Sequence, residues 1–138
     1  MKEKNTQKGF TLVELMIVIV IAGIMLGVAI PNLLLVKDKA LWSTAKVNLD
    51  VVRTALAGYA ADSNDGRYPV GSLDFATFRT ILPDARLPYT EQEAKWQGGT
   101  FAYASSGGSF TINVNANNRY NDPLVATLSG ISPDEYPH

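Results

Sequence analysis

The hydrophobic positions of this chain fall into three successive patterns. Residues 15–30 carry no charged or strongly polar side chain, so this block is apolar on every face. Beyond residue 36 the pattern turns amphipathic: Leu41, Ala45, Leu49, Val52, Leu56 and Tyr59 recur every three or four residues and share one helical face. From residue 100 the period shortens to two. Residues 100–104 alternate, Ser105-Ser106-Gly107-Gly108 supplies a turn, and Phe110, Ile112 and Val114 alternate again.

These patterns predict a helix from Phe10 to about Ala61, close to 80 Å long at about 1.5 Å per residue. Gly23 and Pro31 are its weak points, and Pro31 predicts a kink. Asp62-Ser63-Asn64-Asp65-Gly66 ends it with turn-forming residues. An EF-hand reading of that string fails, because Gly66 stands fifth rather than sixth and the twelfth residue is Leu73, not Glu. A second, short helix is expected over residues 72–82, with Ser72 as N-cap and Phe75, Phe78 and Leu82 on one side. Pro83 and Pro88 bracket a loop, the alternating segments form a hairpin, and residues 124–128 read as a third strand. On the helix surface Lys46 and Asp50 stand at pairing distance. The economical arrangement is α+β, a small antiparallel sheet packed on the amphipathic half of the long helix.

The N-terminal segment carries the sharper functional signal. Lys2, Lys4 and Lys8 outweigh Glu3, which favours a cytoplasmic N-terminus. Residues 10–36 would extend about 40 Å as helix, enough to cross a hydrocarbon core of about 30 Å once. A secretory signal peptide would have a shorter apolar run and a small-x-small cleavage site, whereas here Pro31-Asn32 leads on into helix. A plain anchor accounts for length and charge but not for Glu14, since a deep, unpaired carboxylate costs about 2–3 kcal/mol in lipid. Glu14 therefore serves one of two ends: it meets a cation on another molecule, or it snorkels to the interface or caps its own helix N-terminus. An apolar rod that leaves the bilayer must also bury its surface, at about 25 cal/mol per Å², and copies of itself are the natural cover.

The run Lys8-Gly9-Phe10-Thr11-Leu12-Val13-Glu14 closely resembles the processing motif of type IV prepilins and type II secretion pseudopilins. A second segment, Asn64-Asp65-Gly66-Arg67-Tyr68-Pro69, resembles the one that follows the long helix in major pseudopilins. The resemblance implies a type IV pilin-like fold with a leader at 1–9, a transmembrane and polymerisation helix at 10–36, and a globular domain at 37–138. It implies cleavage by a prepilin peptidase after Gly9 and methylation of the new amino group on Phe10. In the filament so implied, Glu14 of one subunit meets Phe10 of a neighbour, and the helix around Gly23, Gly27 and Pro31 unwinds on leaving the bilayer. The partners implied are further copies of the chain, the peptidase, an inner-membrane assembly platform, and minor pilins or pseudopilins. The final location is a periplasmic pseudopilus or, alternatively, an extracellular surface pilus. The absence of cysteine and the second segment lean toward the pseudopilus, and Glu14 argues against a tip subunit.

Composition narrows the remaining possibilities. A formal net charge of -1 gives no basic excess, so no nucleic-acid partner is expected. Arg79, Arg86, Lys95 and Arg119 are scattered, and Tyr89, Trp96 and Tyr120 near some of them are read as core rather than as a stacking surface. Zero cysteines exclude disulfides, thiolate metal sites and a thiol nucleophile. The one histidine, His138, cannot by itself build a triad or zinc cluster, and the glycine pairs at 98–99 and 107–108 lack phosphate-loop spacing, so no enzyme is expected. Asn115, Asn117, Asn118, Asn121 and Asp122 form an oxygen-rich loop of the chemistry calcium takes, and the pseudopilin resemblance implies calcium in such a loop. Asp122 alone supplies formal charge there, and a polar turn without metal accounts for the same residues.

Overall fold

The computed structural model describes residues 9–82 and 86–138. The expected leader at residues 1–8 and the loop boundary at Pro83 lie outside the described residues. The chain divides into two compact units, Met1–Val36 and Lys37–His138, and helix α1 (Leu12–Asp62) contributes to both.

In the first unit α1 begins at Leu12, two residues later than expected. Its side chains as far as Val36 are all exposed. The run Ile17-Val18-Ile19-Val20-Ile21 is β-branched and would be a mediocre helix former in water. In hydrocarbon the preference is overridden, because only a helix satisfies every backbone N–H and C=O within one segment. This is the one helix among the described residues that is long and apolar enough to cross a membrane. α1 is helical through Pro31.

The second unit is an α+β domain. It holds the rest of α1, then β1 (Gly71–Leu73), α2 (Phe75–Ile81), β2 (Ala102–Ser105), β3 (Phe110–Asn115), β4 (Pro123–Thr127) and β5 (Gly130–Ser132). The five strands form an antiparallel meander in sequence order, with Tyr103 opposite Ile112 and Ile112 opposite Ala126. One face of the sheet is buried through Tyr103, Phe110, Ile112, Val114, Leu124 and Ala126. These share a core with Ala45, Leu49, Val52 and Leu56 of α1, with Phe75 and Phe78 of α2, and with Trp96. Trp96 is fully buried and its Nε1 donates to the Ala45 carbonyl of α1 at 3.0 Å, so this fully buried indole has its polar atom satisfied. Tyr103 is likewise buried and donates its hydroxyl to the Pro69 carbonyl at 2.7 Å.

The structure corrects several expectations. The buried stripe of α1 runs through Asp38, Trp42, Ala45, Leu49, Val52, Ala55, Leu56 and Ala60; Leu41 is only half-buried and Tyr59 lies at the surface. Lys46 pairs with Asp134 rather than Asp50, which pairs instead with Arg53. The α2 N-cap is Asp74, not Ser72: the Asp74 carboxylate accepts from Thr77 N at 2.8 Å, while Ser72 pairs with Ala104 as part of β1. The sheet has two short edge strands, β1 and β5, beyond the three expected. Of the aromatics expected in the core, Trp96 is there, but Tyr89 and Tyr120 are exposed beneath the guanidinium groups of Arg79 and Arg119. The helix does end at Asp62, as expected, where Ser63 Oγ takes up the Ala60 carbonyl and Gly66 adopts φ +66.

Candidate assembly site

The start of α1 joins the two features that the sequence singled out. Gly9 and Phe10 precede the helix, and the Phe10 side chain is exposed. Thr11 stands at the N-cap and Glu14 three residues on, the spacing of a capping box. Thr11 Oγ accepts from Glu14 N at 3.2 Å, and the Glu14 carboxylate accepts from Thr11 N and Thr11 Oγ, both at 3.4 Å. In the single chain, then, Glu14 closes its own helix N-terminus. The carboxylate bonds are at the long, weak end of the hydrogen-bond range, so a better donor can displace them at little cost.

Below Glu14 the helix presents apolar surface on all sides, including Leu15, Ile17, Ile24, Leu26, Val28 and Leu33. A Cβ added at Gly23 or Gly27 would meet no atom within 4 Å, so neither glycine is required by packing within the chain. With Pro31 they place three poor helix formers along this stretch.

The oxygen-rich loop between β3 and β4 is held by its own polar groups. Asn118 and Asp122 meet through their side chains, Nδ2 donating to Oδ2 at 2.7 Å, and Asn118 Oδ1 accepts from Asp122 N at 3.3 Å. Asn115 and Asn117 engage through the backbone: the Asn115 carbonyl accepts from Gln97 N, and Asn117 N donates to the Lys95 carbonyl, both at 2.8 Å. Calcium takes six to eight oxygens. Here the Asn118 amide N–H2 group, rather than an oxygen, faces the Asp122 carboxylate, and Asp122 is the one acidic side chain in the loop. In this arrangement the loop's polar groups satisfy one another.

The structure adds one charged pair that no local spacing in the sequence marks. Asp38 is buried, and both of its oxygens are taken by Arg119, through Arg119 N at 3.2 Å, Nε at 3.1 Å and a terminal nitrogen at 2.8 Å. Hydrogen bonding to Asp38 holds the Arg119 guanidinium above its ordinary pKa. The signal was available: Asp38 sits one turn before Trp42 on the buried stripe, and an acid on an apolar stripe needs a cation.

Comparison with known proteins adds independent findings. The family model described as the prokaryotic N-terminal methylation motif matches residues 4–30. The chain is 32% identical over 120 residues to type II secretion system core protein G of Vibrio cholerae, covering 83% of this chain and 82% of that protein. It is 41% identical over 88 residues to the core protein G of Klebsiella michiganensis, covering 60% of this chain and 59% of that protein. Over 77 residues it is 40% identical to the type IV major pilin protein PilA of Myxococcus xanthus, covering 56% of this chain and 32% of that protein. Further core protein G relatives are matched over about half their length. No solved structure matches. With the methylation motif at the head of an apolar helix, a meander sheet later in the sequence, and a relative matched over most of both chains, this chain belongs to the type IV prepilin and pseudopilin family that includes type II secretion system core protein G.

Proposed function

We propose that this chain is a structural subunit of a type II secretion pseudopilus, inserted as a single-pass inner-membrane protein and polymerised through the first part of α1. The observation that carries the reading is the exposed apolar surface from Leu12 to Val36, bearing a single carboxylate, Glu14, near its start. Cleavage after Gly9 by a prepilin peptidase would leave a methylated ammonium on Phe10. That ammonium is a stronger donor than the Thr11 groups now facing Glu14. In the filament the Phe10 ammonium of one copy replaces Thr11 at the Glu14 carboxylate of its neighbour. Two groups that are each costly in lipid then satisfy one another and fix the axial register.

Gly23, Gly27 and Pro31 mark where α1 gives way as the subunit leaves the bilayer. The partners on this reading are further copies of the chain, an inner-membrane assembly platform and minor pseudopilins. The chain acts by assembly rather than by catalysis. A second reading, a surface type IV pilus, is favoured by the similarity to the Myxococcus xanthus pilin. Deletion of the chain in its native cell separates the two: loss of protein secretion with no surface filament at any stage supports the pseudopilus, and loss of a sheared extracellular filament with secretion intact supports the pilus. Normal secretion and normal filaments after deletion would contradict both.

A further inference from the structure

The last residues of the domain run along α1 as a strap. Asp134 accepts from Lys46 Nζ through Oδ1 at 2.8 Å and through its carbonyl at 2.6 Å. Tyr136 packs on Trp42 with ring centroids 5.7 Å apart. His138 Nε2 lies 3.0 Å from Asp122 Oδ1, and its ring stacks on Tyr120 at 4.1 Å and meets the edge of Tyr136 at 5.8 Å. The periods match: every second residue of an extended chain advances about 6.6 Å, and one helical turn about 5.4 Å, so 134 meets position 46 and 136 meets position 42. One turn further back is Asp38, held by Arg119 of the same loop that carries Asp122.

Asp122 is buried, with its side chain only 6% exposed, and a buried carboxylate must be satisfied by hydrogen bonds or a cation. Both of its oxygens have partners within the chain, Oδ2 the Asn118 amide and Oδ1 the His138 ring. We propose that the His138 bridge, backed by the strap, does for this loop what a bound cation would do: it satisfies Asp122 and clamps the loop to α1, so that the domain closes without calcium. The proposal is independent of the filament reading, because every group it uses lies within Lys37–His138.

The test is thermal unfolding of the full chain in detergent, in chelator and in excess calcium chloride, together with limited proteolysis of the tail. The wild-type midpoint should agree between the two conditions within about 1 °C. His138→Ala should lower it by about 4 °C and speed tail cleavage severalfold, with neither effect reversed by calcium. His138→Gln, which keeps an N–H donor near Oδ1, should recover part of the loss, and it carries the same comparison if His138→Ala does not fold. A wild-type midpoint that rises with calcium would overturn the proposal, as would a His138→Ala chain with wild-type midpoint and tail protection.

Discussion

Asp38 and Arg119 stand 81 residues apart in sequence and meet at 2.8 Å, the acid buried and the guanidinium half-exposed. The pair ties the first turn of the domain's helix to the loop between β3 and β4. Removing Arg119 strands a buried carboxylate, so Arg119→Ala should lower the unfolding midpoint more than Arg119→Lys does. The double variant Asp38→Ala, Arg119→Ala should lose clearly less than the two single losses added together. Additive losses in urea or thermal unfolding would mean that the contact is energetically idle.

The core supplies a second expectation. Leu49 is fully buried on the stripe that faces the sheet, and Leu49→Ala should cost about 2–5 kcal/mol in urea unfolding. Leu26→Ala, in the exposed apolar stretch, should leave the unfolding of the domain unchanged, because Leu26 is exposed.

Two carboxylates predict how stability depends on pH. Asp74 is held below the ordinary aspartate value of 3.8 by its hydrogen bonds to Thr77, and Asp134 below the same value by the hydrogen bond to Lys46 and then by its charge. A depressed folded pKa contributes stability that is present above the unfolded value and lost as pH falls through the folded one. Asp74→Asn and Asp134→Asn should therefore each lower the midpoint at pH 7, with the gap to wild type closing below pH 3.8. A gap that stays constant with pH would show that charge plays no part.

Much of this fold was legible because its drivers are local. The α1 stripe from Ala45 to Leu56 and the alternation of Phe110, Ile112 and Val114 each follow from burial of one face, and the core bears them out. What sequence could not give depends on partners far along the chain. β1 and β5 are three residues each, too short to show a period, and exist because β2 and β4 offer them hydrogen bonds. Ser72 has the chemistry of a cap but lies in β1, and the next side chain able to cap, Asp74, takes the role. Lys46 had Asp50 within reach on its own helix, yet the tail delivers Asp134, whose carbonyl offers a second acceptor. At the assembly site the sequence marked Glu14, and the structure adds its neighbour Thr11, whose spacing as a capping box was readable from the motif itself.

Glu14 carries the fourth expectation. Glu14→Gln keeps the side-chain oxygen that faces Thr11 but removes the charge that would meet an ammonium. The variant chain should insert in the membrane, lose its leader and fold its domain as wild type does, while filaments seen by electron microscopy become rare or absent. Filaments in wild-type number would leave Glu14 as a helix cap only.

Polymerisation through α1 after cleavage behind Gly9 is tested by cryo-electron microscopy of the assembled filament with mass spectrometry of its subunit. The filament should hold a chain that begins at methylated Phe10, the apolar stretch to Val36 packed at its centre, and the Phe10 nitrogen within hydrogen-bond distance of a neighbour's Glu14. A filament whose subunits retain Met1, or one in which Leu12 to Val36 lies outside the subunit contacts, would contradict it.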